Sequence, residues 1–339
     1  MRKKKLTSKD IARELGISRT VVSFVLNGKS KEMRISDELT RKVLDFVEAS
    51  NYQPNYMAQS LKTGMTFTIG LIVADIANPF FAKMARTIEH ELSKENYSVI
   101  FCSSDENIKN FNSQLDNLIN RQVDGLILTP PIESAKTLSS LSSQKIPFVV
   151  IDRIFENLDI NSVIINNHKA AYDATSKLIR FGRKNVALIN VNNELITMNQ
   201  RTQGYLDAVA DHGLKVNPGL VKQLLFSNVE ADVNQAIEDA ISNRVDGILF
   251  TTNKLGVTGI QALYKMNKRI PEDIAIISFD DTDAYAVAKT PITAIKQPLD
   301  QMSREAVELL MELIESKGND IPSKQIVLDA SFIVRESCP

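Results

Sequence analysis

The sequence has few of the residues that build covalent cross-links or metal sites. Its 339 residues include two cysteines, Cys102 and Cys338, and three histidines, His90, His168 and His212. These side chains are scattered, with the spacing neither of a metal-ligand set nor of a disulfide framework. We therefore expect no structural disulfide, no metal and no cofactor.

Long apolar runs and catalytic motifs are missing as well. Nowhere do eighteen apolar residues follow one another, and the N-terminus passes from the basic run 2–5 directly into polar sequence. We therefore expect no membrane span, no signal peptide and a cytoplasmic location. The patterns GxGxxG, GxxxxGK[ST], GxSxG and HExxH, typical of phosphate-binding loops and hydrolase sites, do not occur. This favours a binding protein over an enzyme.

Charge is distributed unevenly along the chain. Residues 1–63 carry 13 Lys and Arg against 7 Asp and Glu, whereas the remainder carries 27 against 34. A basic end on an acidic body is expected where only that end meets a polyanion, because neutralised phosphates release counterions. The run 2–5 taken alone has a simpler interpretation as a solvated basic tail.

Three short helices are predicted in the first fifty residues. Thr7 and Asp10 form a capping box before the first helix, which ends at Gly16. Ser18 caps the second helix and Ser36 caps the third. The apolar stripe of the third helix consists of Leu39, Val43, Leu44 and Val47.

The second helix has two different faces. Its inner face consists of Val21, Val22 and Val25, and its outer face of Arg19, Thr20, Ser23 and Phe24. A helix of this kind after a glycine-containing turn is typical of a helix-turn-helix, whose second helix reads the major groove of DNA. An ordinary helical hairpin is the alternative. The following segment, 55–61, has too few apolar residues to fold alone, so it is either a helix that folds on a partner or a plain linker.

The body of the chain repeats itself. Segment 122–129 (QVDGLILT) is echoed by 244–251 (RVDGILFT), and each copy is followed by an Ile-Pro pair and a second apolar run. Near-continuous apolar runs that alternate with helical patterns indicate buried parallel strands with crossover helices. The sequence therefore predicts an all-α head and an α/β body of two doubly wound parallel-sheet lobes.

Candidate ligand-binding residues follow the strands of this repeat. Asp152 and Asp280 end equivalent strands, where ligands bind in doubly wound sheets, and a carboxylate from each wall suits a hydroxyl-rich ligand. Either aspartate could instead merely begin a turn. Arg201, at a predicted loop-to-helix junction, is a third candidate with surface solvation as its alternative.

The whole chain resembles the lactose and galactose repressor family of bacterial transcription regulators. The resemblance implies a core like that of periplasmic binding proteins, a homodimer and a pseudo-palindromic operator in double-stranded DNA. It is carried by residues 7–11, 16–18, 22–23, 25–28, 52–55, Ala58, Leu61, 78–81, 123–127, Arg201, 204–205, 279–281 and 295–298.

The resemblance also implies which residues bind DNA and ligand. It implies that 55–61 folds as a hinge helix in the minor groove, where Leu61 wedges a base step. The DNA-binding residues would be Thr7, Ser18, Arg19, Thr20, Ser23, Asn27, Ser36, Tyr52, Asn55, Ala58 and Leu61. The effector-binding residues would be Asn78, Phe80, Phe81, Asp152, Thr197, Arg201, Asn253, Asp280 and Gln297. The effector would be a sugar or sugar derivative, with purines and sugar phosphates as alternatives.

Three positions depart from the family pattern. Phe24 stands where the family commonly has Arg and Val21 where it has Thr, so the operator sequence is not transferable. Lys254 follows Asn253 where Asp is usual, which favours a more acidic ligand. The sequence ends without a leucine heptad, which favours a dimer over a tetramer.

These patterns together predict a domain plan and a function. We expect a DNA-binding domain at 1–50, a hinge at 51–64 and an effector-binding core at 65–339. Within the core, the N-lobe is expected at 65–165 and 295–325, and the C-lobe at 166–294 and 326–339. The predicted function is repression of transcription under effector control. A two-lobed solute-binding or sensor protein, and an enzyme with a Rossmann-like body, are the rival interpretations.

Overall fold

The chain folds into two compact units, Met1–Thr66 and Phe67–Pro339, which are described here one at a time. The computed structural model describes residues 6–26, 28–50, 52, 64–191, 194–224, 229–316, 318–319 and 321–339. Among these residues, no helix combines the length and the apolar character needed to cross a membrane.

The first unit contains three helices, α1 (Ser8–Leu15), α2 (Arg19–Leu26) and α3 (Asp37–Ala49). The predicted capping box is present, with the Asp10 N–H donating to Thr7 Oγ1 and the Thr7 N–H donating to Asp10 Oδ2. Ser18 and Ser36 accept backbone N–H groups at the starts of α2 and α3. A small apolar core formed by Ile11, Ala12, Val22, Val25 and Val43 joins the three helices.

The predicted stripe of α3 is wrong at one position. The Leu44 side chain is 46% exposed, whereas Phe46 and Val47 pack on the core of the first unit. Successive helical residues are rotated by about 100°, so a residue adjacent to the buried Val43 points away from the side that faces α1 and α2. Phe46, three positions on, lies closer to that side.

The second unit contains two six-stranded sheets, one in each lobe. The first sheet is parallel in all its pairings, in the order β11-β5-β4-β3-β1-β2. Its strands are β1 (Thr68–Val73), β2 (Ser98–Ser103), β3 (Gly125–Leu128), β4 (Phe148–Ile151), β5 (Ser162–Ile165) and β11 (Gln325–Leu328). The helices of this lobe are α4 (Pro79–Lys94), α5 (Ile108–Asn120), α6 (Ala135–Ser143), preceded by the 3-10 turn Ile132–Ser134, and α12 (Leu299–Glu315).

The second sheet has the order β12-β10-β9-β8-β6-β7 and is parallel except where β12 pairs with β10. Its strands are β6 (Val186–Val191), β7 (Val221–Leu224), β8 (Gly247–Phe250), β9 (Ala275–Phe279), β10 (Thr293–Lys296) and β12 (Ser331–Ile333). The helices of this lobe are α7 (Asn167–Arg180), α8 (Ile196–Asp211), α9 (Val229–Ser242), α10 (Asn253–Lys265) and the short α11 (Asp283–Ala286), with a 3-10 turn at Pro218–Leu220. The predicted fold class, a helix-turn-helix head with a two-lobed α/β core, is confirmed.

The repeated Val-Asp-Gly motif has a structural role in each lobe. Asp124 Oδ2 accepts the Phe67 N–H at 2.7 Å, and Asp246 Oδ1 accepts the Asn185 N–H at 2.8 Å, so each carboxylate fixes the segment that leads into the first strand of its lobe. A Cβ on Gly125 would come within 2.9 Å of Leu310 Cδ1, so only glycine fits there without a shift. The motif therefore repeats because the fold repeats.

The chain passes from one lobe to the other at three points, and the last two differ from those in the predicted domain plan. Residues 326–328 belong to β11, which pairs with β5 in the first sheet, whereas the plan put them in the C-lobe. Residues 295–296 belong to β10 in the second sheet, whereas the plan put them in the N-lobe. Pairing partners decide such boundaries, and they lie far away along the chain. The crossings therefore fall at 297–298 and 329–330.

Candidate functional site

The two predicted aspartates occupy matching positions in the two lobes. Asp152 follows β4 and Asp280 follows β9, with φ angles of 66° and 65°. Each continues the ladder, since the Asp152 N–H donates to the Val163 carbonyl and the Asp280 N–H to the Ile295 carbonyl. The left-handed backbone ends the strand, which leaves a carboxylate at the carboxyl edge of each sheet.

Arg201 is a buried residue, and the surface alternative is wrong. It lies within α8, not at a loop-to-helix junction, and is 2% exposed. Its Nε donates to Asn167 Oδ1 at 2.8 Å and its Nη1 to the Thr251 carbonyl, while the guanidinium lies 4.0 Å from the centroid of the Phe279 ring. A guanidinium held by these contacts presents its other N–H donors in a fixed geometry.

Asp152, Asp280 and Arg201 lie in the cleft between the two lobes, and the pKa of each depends on the charge of at least one of the others. Burial raises the pKa of Asp152 to about 6, against the opposing effects of Arg153 and Arg201. Burial also raises the pKa of Asp280, although Arg201 and a hydrogen bond from Gln297 lower it. Burial lowers the pKa of Arg201, while both aspartates raise it. Asp152 is therefore mainly ionised at pH 7.

Arg153 belongs to the same cluster and was missed by the sequence analysis. It is 4% exposed, its Nη2 donates to Glu106 Oε1 at 2.6 Å, and its Nε lies 3.6 Å from Asp152 Oδ2. Within the described part of the chain, its Nε and Nη1 have no hydrogen-bond partner. Its position directly after Asp152 was the only signal in the sequence.

Two buried amide oxygens at the cleft also lack a partner among the described residues. Gln297 donates its Nε2 to Asp280 Oδ1 at 2.7 Å, which leaves Gln297 Oε1 unpaired. Asn253 donates its Nδ2 to Asn78 Oδ1 at 2.7 Å, which leaves Asn253 Oδ1 unpaired. A buried polar atom without a hydrogen bond costs about 1–3 kcal/mol. A polar ligand in the cleft would remove that cost.

The remaining predicted effector residues lie around this cluster. Asn78 caps α4 by accepting the Phe80 N–H at 3.0 Å, so the bond to Asn253 links the two lobes at a helix terminus. The Phe80 and Phe81 rings are both buried and pack edge to face at 5.0 Å. Thr197 is buried in the first turn of α8. Lys254, which departs from the family pattern, is exposed beside Asn253.

The predicted DNA-binding residues of the first unit fall into three groups. Arg19 and Thr20 are exposed at the start of α2, and Ser23 is half-buried, as is Phe24, which was expected only on the outer face of the helix. Side chains of the second group have structural roles: the Thr7, Ser18 and Ser36 hydroxyls cap helices, and the half-buried Tyr52 packs on the head core. Asn27, Asn55, Ala58 and Leu61 lie outside the described residues.

Comparison with known proteins covers both units. Residues 7–55 match the model of "Bacterial regulatory proteins, lacI family", and residues 66–335 match "Periplasmic binding proteins and sugar binding domain of LacI family". The chain is 31% identical to the ribose operon repressor of Haemophilus influenzae over 98% of each chain. It is 29% identical to the transcriptional repressor PurR of Aliivibrio fischeri over 93% of each. The structure of the transcription regulator CcpA of Lactococcus lactis is similar with a TM-score of 0.73 and 25% identity, over 80% of this chain and 99% of that one.

Proposed function

The chain belongs to the LacI family of bacterial regulatory proteins, and on that premise we propose how it works. It is a DNA-binding transcriptional regulator and not an enzyme. We propose a cytoplasmic homodimer that represses transcription, in which two helix-turn-helix heads bind the half-sites of a pseudo-palindromic operator. A small molecule in the cleft between the lobes sets the affinity for that operator.

The effector is proposed to be a monosaccharide, with a pentose as the first choice. The unpaired polar atoms of Arg153, Asn253 and Gln297 carry this proposal. The Arg153 nitrogens are donors and the two amide oxygens are acceptors, so a ligand that satisfies them must both accept and donate hydrogen bonds. Asp152 and Asp280 add two carboxylate acceptors, and the Phe80–Phe81 pair offers an apolar surface for the carbon face of a ring. The similarity to a ribose operon repressor supports the choice of a pentose.

Thermal unfolding with candidate ligands tests this proposal directly. D-Ribose, D-xylose, D-glucose, free purine bases and phosphorylated sugars would be added to the full chain, because a ligand specific for the folded state raises the unfolding temperature. The hit is then titrated by calorimetry. We expect a pentose to bind and Asp280→Asn to weaken it at least about tenfold, because a charged hydrogen bond contributes about 1.5–3 kcal/mol.

A matched control lies three residues further along the chain. Asp283 is exposed at the start of α11, so Asp283→Asn removes the same charge outside the cleft and should leave the affinity unchanged. Binding of a purine but no sugar, or equal losses in the two variants, would overturn the sugar proposal.

The homodimer is supported by apolar side chains on the first lobe. β2 is an edge strand whose Phe101 is 44% exposed, and Ile76 is exposed as well. An edge strand with large apolar side chains is typical of a surface that another chain covers. Light scattering coupled to gel filtration would measure the mass, and a monomer at micromolar concentration would contradict the dimer.

Coupling between cleft and head is proposed to act through the relative rotation of the lobes. An effector that prefers one arrangement shifts the population towards it, by an amount limited to its differential affinity for the two. A coupling of about 1–3 kcal/mol changes operator affinity about 5- to 150-fold. Induction and corepression both obey this scheme, and operator titration with and without the effector decides between them.

A further inference from the structure

A cavity of about 500 Å³ adjoins the effector cleft where the chain crosses between the lobes after β10. It shares Phe80, Asp280 and Gln297 with the cleft, but most of its lining lies outside the residues proposed to bind the effector. Part of its lining is apolar and includes Phe80, Leu299 and Ile333. We call this cavity the crossing pocket.

Three cations from three different elements line the crossing pocket. Lys83 comes from α4 and Arg304 from α12 in the first lobe, whereas Lys296 is the last residue of β10 in the second. All three are exposed, and none forms a salt bridge with a carboxylate of the described residues. Arg304 acts on Glu91 only as a longer-range charge that helps to lower the Glu91 pKa.

The carboxylates of the pocket do not balance these cations. Asp281 is held by Arg335, with distances of 2.8 and 3.2 Å to the two guanidinium nitrogens, so its charge is already neutralised. Asp280 is buried beside Arg201, whose positive charge acts on it and offsets its own. Asp300 is left as the one exposed carboxylate among the described lining residues. The pocket therefore has an excess of positive charge next to the apolar part of its lining.

We propose that the crossing pocket binds a second ligand, a small organic phosphate, separately from the effector in the cleft. Arginine and lysine together suit a phosphate group, since the guanidinium offers paired donors and the ammonium groups offer point charges. The apolar lining residues accommodate the carbon skeleton, and the volume is that of an ordinary metabolite site. Because the cations belong to both lobes, the bound phosphate connects them and favours one lobe arrangement. The regulator thereby responds to phosphorylated metabolites as well as to its effector.

Calorimetric titration of the full chain tests the proposal. The probes are ribose 5-phosphate and inorganic phosphate, each added in the presence of saturating D-ribose, which blocks a sugar site in the cleft. We expect ribose 5-phosphate to bind and its affinity to fall with rising salt. Lys83→Gln combined with Arg304→Gln should weaken it at least about tenfold, since the variant removes two of the three cations that would form charge-assisted hydrogen bonds to the phosphate. The affinity of that variant for D-ribose should stay within about twofold of the wild-type affinity, because neither Lys83 nor Arg304 is among the residues proposed to bind the effector.

The control removes the same number of charges, both of them from α4, the helix that carries Lys83. Arg86→Gln with Lys94→Gln takes away two exposed cations of α4 that pair with Glu89 and Glu91 outside the pocket, and it should leave phosphate binding unchanged. Equal losses in both double variants, undiminished binding in the first, displacement of the probe by ribose or no binding at all would each overturn the proposal. Inorganic phosphate that binds as well as ribose 5-phosphate would overturn the organic part of it. If ribose fails to bind but ribose 5-phosphate binds through Lys83 and Arg304, the sugar proposal falls and the crossing pocket stands.

Discussion

Asp152 is a carboxylate that is largely removed from water. Its side chain is 14% exposed, and burial outweighs the nearby arginines, so that its pKa rises from 3.8 to about 6. The ionised form is therefore costly in the ligand-free chain: stability is lost as pH rises through about 6 and regained as pH falls towards 4. The shift corresponds to at most about 3 kcal/mol.

Effector binding should therefore depend on pH through Asp152. Sugar hydroxyls that donate to this carboxylate stabilise its ionised form, so the ligand-bound chain holds the proton less tightly than the free chain. We expect affinity to be constant above pH 7 and to fall below pH 6, by up to about tenfold per pH unit. Calorimetry from pH 5 to 8 measures this dependence, and Asp152→Asn should remove most of it. An unchanged pH profile in that variant would assign the effect to another group.

Arg201 and Arg153 differ in how far the sequence revealed them. The sequence pointed to Arg201, but its burial depends on Asn167, Thr251 and Phe279, which come from three other parts of the chain. Arg153 was not singled out, because a charged residue after a strand is ordinarily solvated. Its partner Glu106 lies 47 residues away, on a different loop. Contacts of that separation decide which charges are buried, and local patterns do not contain them.

Helix α2 is the element that would read the operator. Val22 and Val25 anchor it in the head core, while Arg19 and Thr20 remain exposed at its N-terminal end. Arg19 is partly oriented by its Nε, which donates to Ser8 Oγ at 3.2 Å. An oriented arginine at this end of a recognition helix suits a base edge in the major groove.

Replacement of Arg19 should therefore reduce specific binding more than non-specific binding. A preferred duplex would first be selected from a random pool, and fluorescence anisotropy would then compare it with random competitor. We expect Arg19→Ala to cost about 1–3 kcal/mol on the preferred duplex because it removes a base contact. Lys42→Ala, which removes an exposed cation from α3, is the control and should have little effect. A uniform loss on both kinds of duplex would make Arg19 a phosphate contact instead.

Elements were predictable from the sequence where a pattern repeats and unpredictable where pairing is remote. The repeated motif predicted β3 and β8, and also the strands that are followed by Asp152 and Asp280. It could do so because similar sequences form the same strand at both places. Strand β11 was assigned to the wrong lobe, since its alternating half-exposed residues fit the edge of either sheet and only its pairing with β5 decides.

In the proposed dimer, regulation requires that two heads bind one operator together. Residues 55–61 are proposed to fold between them as the hinge helix, although that segment lies outside the described residues. A dimer with a two-fold axis matches a pseudo-palindrome whose half-sites lie about one helical turn apart.

The proposed wedge makes operator bending depend on Leu61. Leu61→Ala should weaken operator binding and reduce the bend together, because unstacking of a base step is driven by the inserted side chain. Energy transfer between dyes at the ends of the duplex measures the bend, with wild-type protein on random duplex as the reference. A bend of unchanged size in the variant would mean that Leu61 does not wedge the DNA.

The amide bridge between Asn78 and Asn253 has a mechanical consequence. Asn78 Oδ1 accepts one hydrogen bond from the first turn of α4 and another from the opposite lobe. Separation of the lobes breaks the second bond, so that Asn78 Oδ1 accepts only the bond from its own helix. Each separation therefore changes the hydrogen bonding at the N-terminus of α4. A ligand that accepts a hydrogen bond from the Asn253 amide would therefore break the contact between the lobes directly. Such a ligand would favour separation of the lobes without making steric contact with both of them.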